Sequence, residues 1–156
     1  MATLLADIVI ASVLLAAIVQ GGFVDLYKDA NYKTFLGRTD NVQVDVCYNL
    51  VCEPLDNAAT SIKWGDLPET AFEAGDSMIS FYVDRDCQGH DIWWRVKTQS
   101  SDDLDFPSNF RLDGINDVVS SFMVWNTKKF HKYVLLCSIT AQLESASVPN
   151  WTAAAL

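Results

Sequence analysis

Two six-residue segments place many side-chain oxygens directly before apolar runs. Residues 56–61, the first loop, read DNAATS, and residues 116–121, the second loop, read NDVVSS. An ordinary turn needs only one such side chain to cap it. Calcium takes six to eight oxygen ligands from carboxylates, amides, hydroxyls, backbone carbonyls and water. The excess of oxygens therefore indicates calcium-binding loops, with a pair of Asx and Ser/Thr turns that hold no ion as the simpler alternative.

The two loops occupy the same place in an internal repeat. The first loop is preceded by YKDANYKT at 27–34, the first hairpin, and is followed by Trp64. The second loop is preceded by YVDRDCQG at 82–89, the second hairpin, and is followed by Trp125. Such a repeat indicates two copies of one supersecondary unit.

Short runs of β-branched and aromatic residues predict strands between turns rich in Asp, Asn and Gly. These runs lie at 23–27, 41–50, 60–64, 78–83, 91–96 and 119–125. Their spacing favours an all-β sandwich over alternating strands and helices. One helical turn is expected at 68–74, PETAFEA, because Pro68 stands near its start. Residues 132–143 fit a strand or a short helix, and periodicity does not decide between them.

With the repeat in place, the chain resembles the βγ-crystallin superfamily, specifically its microbial calcium-binding members. The second hairpin fits the aromatic-x6-Gly element of that family through Tyr82 and Gly89, and both loops fit its N/D-N/D-x-x-S/T-S element. The resemblance covers residues 23–128 and implies a sandwich of two Greek-key motifs, motif one at 23–66 and motif two at 78–128. Residues 129–156 remain as a C-terminal tail.

One position departs from the family pattern. Thr34 stands where the first hairpin should have glycine, and a β-branched residue is costly at positive φ. We therefore expect the first hairpin to fold differently from the second, with Gly37 serving a shifted turn.

The resemblance also implies two calcium sites that each draw ligands from both loops. The expected donors are second-position side chains, fifth-position hydroxyls and nearby carbonyls, with hairpin carbonyls around Asp29 and Asp84 completing each shell. The predicted metal-binding residues are Asp56, Asn57, Ala58, Thr60, Asn116, Asp117, Val118 and Ser120. The sixth-position serines, Ser61 and Ser121, are expected to hydrogen-bond within the fold instead. Because the sites hold few formal charges, we expect moderate affinity and a calcium role that is mainly stabilising.

The amino terminus predicts secretion. Residues 8–24 carry no charge and resemble the apolar region of a signal peptide, although the preceding residues lack Lys and Arg and include Asp7. We expect a signal peptide at 1–22, cleaved near Gly21 or Gly22, and an extracellular mature chain. An uncleaved leader that tethers the protein to a membrane is the alternative.

Charge limits the partners of the mature chain. The full chain has a formal net charge of −9, and removal of the leader takes away only Asp7, which leaves 19 acidic and 11 basic residues. This acidity argues against nucleic acid and anionic membranes as partners.

Four cysteines, Cys47, Cys52, Cys87 and Cys137, lie in the predicted mature region. An even number in a secreted chain indicates disulfides, and the sequence leaves all three pairings open. The spacing of the cysteines and histidines excludes a recognisable zinc site. A glycosylation sequon lies at 150–152.

No catalytic constellation is present in the sequence. His90 and His131 have no accompanying nucleophile motif, so we expect no enzymatic activity. The acidic segment 101–105 lacks the glycine and terminal glutamate of an EF-hand and is expected to be a solvated loop.

Aromatic residues suggest a second function class. Trp64 and Trp125 are expected in the core. Of the neighbours Trp93 and Trp94, one must face outward from a strand, and we expect the tail to bury it. If it is exposed instead, it joins the loop at 97–109 as a contact surface for a secreted interaction protein such as a toxin, protease inhibitor or host-directed effector.

Overall fold

Short apolar runs form strands in two sheets that enclose one core. The structure, a computed structural model, describes residues 21–71, 75–101, 105–126, 132–137 and 140–141. The strands in these ranges are β1 (Gly22–Asp29), β2 (Lys33–Val42), β3 (Val46–Leu50), β4 (Ser61–Gly65), β5 (Thr70–Ala71), β6 (Gly75–Asp76), β7 (Met78–Tyr82), β8 (Asp91–Arg95), β9 (Ser121–Trp125), β10 (Lys132–Leu136) and β11 (Thr140–Ala141). A short helix, α1 (Phe110–Asp113), and 3-10 turns at Ala30–Tyr32 and Val96–Ser100 accompany them. The helical segments in these ranges have five residues at most, too few to span a bilayer.

The two motifs exchange their third segments. The first sheet has the order β11-β2-β1-β4, and the second has the order β10-β3-β9-β7-β8. Strand β3 follows β2 in sequence but pairs antiparallel with β9 of the other motif. In return, the segment after β8 runs beside β4, where the carbonyl of Pro107 accepts a hydrogen bond from the amide of Ile62 at 3.1 Å. The result is the predicted sandwich of two Greek-key motifs.

The core lies between the two sheets and is rich in aromatic rings. Phe81 of β7 is fully buried and contacts Trp64, Trp94, Phe110 and Phe122 at ring-centroid distances of 5.7 to 6.4 Å. These rings come from both motifs, so neither motif has a complete core of its own. Burial of such large apolar surfaces is the main source of stability in a domain of this size.

The described residues confirm five of the six predicted strands and correct the helical turn predicted at 68–74. Thr70–Ala71 forms β5 and pairs with β6 in a small hairpin instead, and residues 72–74 lie outside the described ranges. The run at 41–50 is divided between the end of β2 and β3, which lie in different sheets. The sequence analysis missed α1 and most of β2. Residues 1–20 of the leader predicted at 1–22, residues 102–104 of the acidic segment, His131 and the sequon at 150–152 also lie outside the described residues.

Two segments of the tail extend the sheets as strands. Strand β10 pairs parallel with β3, and β11 pairs parallel with β2. The open choice for residues 132–143 is therefore decided in favour of strands at Lys132–Leu136 and Thr140–Ala141. Each sheet thus receives one edge strand from beyond residue 128.

The structure selects one of the three disulfide pairings. Cys47 of β3 pairs with Cys87 of the second hairpin, and Cys52 pairs with Cys137, which follows β10. The first bridge is buried and joins the exchanged strand of motif one to motif two. The second bridge joins the segment before the first loop to the tail.

The tryptophans divide between the core and the surface. Trp64 is buried and donates from Nε1 to the carbonyl of Val96 at 3.0 Å, whereas Trp125 is only partly buried, against a smaller cluster around the Cys47–Cys87 bridge. Trp94 packs on the core. The expectation that the tail buries the outward-facing member of its pair is wrong: Trp93 is 51% exposed, because β8 and β10 lie at opposite edges of the second sheet.

The first hairpin has the same backbone form as the second, so the expected shifted turn is wrong. Thr34 takes φ +53°, as its counterpart Gly89 takes φ +76°. Gly37 lies inside β2, opposite Leu26. The hydroxyl of Thr34 donates to Oδ2 of Asp29 at 2.6 Å, and this bond offsets part of the cost of the left-handed conformation.

Replacing Thr34 with glycine is expected to raise the free energy of unfolding by about 0.5 kcal/mol, since relief of about 1–2 kcal/mol of left-handed strain exceeds an exposed hydrogen bond of about 0.5–1 kcal/mol. The reciprocal change, Gly89→Thr, provides the matched control and should cost about 1–2 kcal/mol. Urea denaturation of both variants measures the two effects. If Thr34→Gly destabilises the protein by more than 1 kcal/mol, the hydroxyl contact outweighs the strain.

Candidate metal centre

The two loops share one backbone form and one pattern of burial. Their second residues, Asn57 and Asp117, take φ +56° and +53°, a region that Asn and Asp tolerate better than most residues. Both side chains are exposed, whereas the fourth, fifth and sixth residues of each loop are buried. Each loop therefore exposes its second side chain while its last three residues are packed into the fold.

The loops lie against each other and exchange hydrogen bonds. The amide of Asn57 donates to the carbonyl of Val119 at 3.1 Å, and the amide of Asp117 donates to the carbonyl of Ala59 at 3.4 Å. This reciprocity gives the pair of loops an approximate two-fold relation. Each loop can therefore contribute donors to a site beside the other.

The side chains cross between the loops in the same way. The hydroxyl of Thr60 lies 3.2 Å from Oδ1 of Asp117, and we call this pair the first site. The hydroxyl of Ser120 lies 3.2 Å from Oδ1 of Asn57, and we call this pair the second site. Fifth-position hydroxyls and second-position side chains thus meet across the two motifs.

The sixth-position serines hold the hairpins, as expected from the sequence. The buried hydroxyl of Ser61 donates to the carbonyl of Asp29 at 2.7 Å and accepts from the amide of Tyr32 at 3.0 Å. The hydroxyl of Ser121 donates to the carbonyl of Asp84 at 2.6 Å and accepts from the amide of Cys87 at 3.1 Å. These bonds set the position of each hairpin beside its site.

An open cavity of about 660 Å³ lies at the first site. Its lining includes Thr60, Asp117 and Ala58 from the loops and Asp29 and Ala30 from the first hairpin. The other lining residues are Asn57 of the first loop, Lys28 of the first hairpin, and Asn109 and Arg111. The cavity is wide enough for an ion together with its bound water.

Charges of both signs surround this cavity. Lys28 and Arg111 contribute positive charge, while Asp117 brings a carboxylate to the crossing pair. Asp113 ends the helix that precedes the second loop, and burial, together with the nearby Asp105 carboxylate, raises the pKa of Asp113. Asp29 and Asp117 both line the cavity, and Asp117 is the one whose carboxylate contacts the hydroxyl of Thr60.

Two buried oxygens in the loops have no hydrogen-bond partner. They are Oδ1 of Asp56 and Oδ1 of Asn116, the first residues of the two loops. A buried oxygen without a donor is costly, and a bound cation or water would satisfy it. All donors gathered here are oxygens, which is the chemistry that suits calcium. The residues present therefore fit a calcium ion.

The predicted site residues come together in the fold, although side-chain carboxylates are few. Asn57 and Thr60 of the first loop contact Ser120 and Asp117 of the second, and Ala58 lines the cavity beside Asp117. Asp56 pairs with Arg85 of the second hairpin, Asn116 bonds Asp117 within its own loop, and Val118 is exposed. In the described part of the chain no group of three or more His, Cys, Asp and Glu side chains could hold a metal ion. A site here would depend on hydroxyl, amide and carbonyl oxygens.

The sequence analysis missed the positive residues around the loops. Lys28 and Arg111 line the cavity of the first site, and Arg85 of the second hairpin forms an ion pair with Asp56. When the sequences of the two hairpins are aligned, Arg85 stands opposite Ala30, so the sequence already indicated a difference in charge between the hairpins. Arg111 could not be found in this way, because it belongs to the short helix that sequence periodicity did not indicate.

Comparison with known proteins gives similar folds at low identity. No protein-family model matches the chain, and no curated protein matches it. A βγ-crystallin domain from Clostridium beijerinckii is 16% identical with a TM-score of 0.40 and covers 65% of this chain and 94% of that one. A double mutant of clostrillin in complex with nickel is 16% identical with a TM-score of 0.41, covering 67% and 98% of the two chains. A βγ-crystallin domain from Flavobacterium johnsoniae is 20% identical with a TM-score of 0.39, covering 68% and 97%.

Similarity at this level does not locate a site or assign a function. The chain's own geometry identifies the architecture through three features: exchanged third segments, hairpins of one form, and loops that cross between motifs. The chain folds as a sandwich of two Greek-key motifs.

Proposed function

We propose that this chain is an extracellular calcium-binding domain in which the ion mainly stabilises the fold. The crossing of the loops carries the proposal, because each fifth-position hydroxyl lies 3.2 Å from a second-position oxygen of the other motif. Two oxygens at that separation can both lie about 2.3–2.6 Å from one ion. An ion at either site would therefore link the two motifs.

The residues that would hold calcium follow from the two crossing pairs. At the first site they are Thr60 and Asp117, with the backbone of Ala58 lining the same cavity. At the second site they are Ser120 and Asn57, with Val118 at the place equivalent to Ala58. When bound, the ion would supply a positive charge that satisfies oxygens contributed by both motifs. The role is structural, and we propose no reaction.

The cysteines support the extracellular part of the proposal. Both described pairs form disulfides, which persist in oxidising compartments. Cleavage of the predicted leader next to Gly22 would leave β1 in the mature protein, since β1 begins at that residue. The acidic mature chain is expected to bind neither nucleic acid nor anionic membranes.

Calcium is expected to raise the free energy of unfolding by about 2.7 kcal/mol at a hundredfold excess over its dissociation constant. Replacing Thr60 with arginine should abolish binding at the first site and weaken the second, because Asn57 lies in the same loop. Ser120→Arg should act in the converse way. Thermal melts with calcium and with a chelator, together with titration calorimetry, measure both effects.

Ser100→Arg is the matched control, because Ser100 is exposed in the turn after β8 and lies outside both sites. It should leave the calcium-dependent shift in melting temperature unchanged. An unchanged melting temperature of the unmodified protein in millimolar calcium would refute the calcium proposal.

A role as an interaction protein is the second candidate, and exposed Trp93 favours it. This side chain lies on the edge strand β8 and is 51% exposed. Large aromatic side chains often anchor protein–protein contacts. A pull-down with the mature protein that recovers nothing from extracellular fluid would count against this role.

A further inference from the structure

The two candidate calcium sites differ in the residue that each hairpin presents. Ser61 binds the carbonyl of Asp29, and Ser121 binds the carbonyl of Asp84 in the same way, so the next residues, Ala30 and Arg85, are equivalent. Ala30 lines the cavity of the first site and carries no charge. At the equivalent place the second hairpin carries a guanidinium.

That guanidinium is bound to the first loop. Nη2 of Arg85 donates to Oδ2 of Asp56 at 2.7 Å, and the Asp56 side chain is only 16% exposed. Asp56 directly precedes Asn57, whose side-chain amide oxygen belongs to the second site. In the other loop the corresponding residue is the neutral Asn116, which donates to Asp117 within the loop. The guanidinium of Arg85 therefore already neutralises the carboxylate of Asp56, which stands next to the second site.

The ligand side chains also favour calcium at the first site over the second. The first site pairs Thr60 with the carboxylate of Asp117, whereas the second pairs Ser120 with the neutral amide of Asn57. A divalent ion is attracted by the carboxylate of the first arrangement. Lys28 and Arg111 also line that cavity, but no salt bridge among the described residues joins either of them to a loop, whereas Arg85 is paired with Asp56. At the second arrangement the ion finds a neutral ligand and meets repulsion from a neighbouring cation.

The second hairpin is also held by a covalent bond, which the described residues of the first hairpin do not form. Cys87 is joined to Cys47 by the disulfide, and Asn49 bonds Asp86 twice, at 2.8 Å through its Nδ2 and at 2.7 Å through its Oδ1. The equivalent residues of the first hairpin are Tyr32 and Asn31. They are held by hydrogen bonds, from the amide of Asn31 to the carbonyl of Ser108 at 2.7 Å and from the hydroxyl of Tyr32 to the carbonyl of Phe106 at 2.9 Å. The disulfide therefore fixes the second hairpin, and the ion pair of Arg85 with it, without need of an ion.

We propose that Arg85 is the resident cation of the second site, so that the chain binds one calcium ion tightly at the first site and a second one only weakly. This inference rests on the proposed function and revises its stoichiometry. Arg85 sets which site is filled by competing with calcium for the charge of Asp56. The residue determines occupancy without being a ligand itself.

Calcium titration calorimetry on the mature chain tests this inference with three variants. We expect one strong site in the unmodified protein and a second that is at least about tenfold weaker, the order of effect of one charge near a divalent ion. Arg85→Ala should strengthen the second site about tenfold and leave the first unchanged, whereas Arg85→Lys keeps the charge and should keep the second site weak. Ala30→Arg, the matched change in the first hairpin, should weaken the first site about tenfold.

Melting in a chelator gives a second measurement that does not depend on calcium. Arg85→Ala should lower the melting temperature there, because it removes the partner of a largely buried carboxylate. Two equal sites in the unmodified protein, or an unchanged second site in Arg85→Ala, would overturn the inference and leave the proposed function intact. Absence of calcium binding in both the unmodified protein and Arg85→Ala would overturn the proposed function itself.

Discussion

A variant with Cys47 and Cys87 both replaced by alanine is expected to lose about 4 kcal/mol of unfolding free energy, which is the loop-closure value for a bridge across 40 residues of sequence. The bridge joins β3, the strand that motif one contributes to the second sheet, to the hairpin of motif two. Its removal frees the unfolded chain and also releases the hairpin that presents Arg85. Urea denaturation of the oxidised protein and of the variant gives the difference.

The other bridge provides the control for this experiment. Cys52 and Cys137 are 85 residues apart, so loop entropy alone predicts a larger loss, by about 0.7 kcal/mol. We expect a smaller loss from Cys52→Ala with Cys137→Ala, because Cys137 is exposed and fixes edge strands that can separate before the core unfolds. A loss below about 1 kcal/mol for the Cys47 and Cys87 variant would show that the bridge does not constrain the core.

Ser121→Ala is expected to cost about 3 kcal/mol, because it leaves a buried amide of Cys87 and the carbonyl of Asp84 each without a hydrogen-bond partner. The hydroxyl of Ser121 is fully buried, and water cannot readily replace it. Ser61→Ala removes the equivalent bonds from the first hairpin. The bond from the amide of Tyr32 to Ser61 is only partly buried, whereas the bond from the amide of Cys87 to Ser121 is buried, so we expect a smaller loss of about 2 kcal/mol.

Both serine variants should be measured by urea denaturation in the presence of a chelator, so that calcium does not contribute. Ser100→Ala is the control and should change stability by less than about 0.5 kcal/mol, since its hydroxyl bond is exposed. A loss below about 1 kcal/mol for Ser121→Ala would mean that the hairpin is held without this hydroxyl.

Much of the architecture could be predicted from the sequence because the repeat is local. The first and second loops show their oxygens within six residues, and strand composition gave the sandwich. The expectation that each site draws ligands from both loops came from the family resemblance, and in the structure Thr60 lies 3.2 Å from Asp117 of the other loop. The same resemblance gave the expectation that Ser61 and Ser121 hydrogen-bond within the fold, as they do.

The remaining features depend on contacts between residues distant in sequence. Thr34 was expected to force a different hairpin, yet the acceptor provided by Asp29 lets a β-branched residue take a glycine conformation. The composition of residues 70–71 also gave no sign of pairing with residues 75–76, because two-residue strands have no detectable period. The disulfide pairing required the strand exchange, which no local pattern shows.

The final strands have a consequence for the behaviour of the protein at high concentration. Strand β10 pairs with every residue of β3, and β11 pairs with Arg38 and Thr39 of β2, which would otherwise present open backbone donors and acceptors at the end of a sheet. Such an open edge can recruit a strand from another molecule and begin aggregation. Strands β10 and β11 themselves form those ends of the two sheets, so an incoming strand would pair with the tail and not with β3. The Cys52–Cys137 bridge holds the end of β10 in place there.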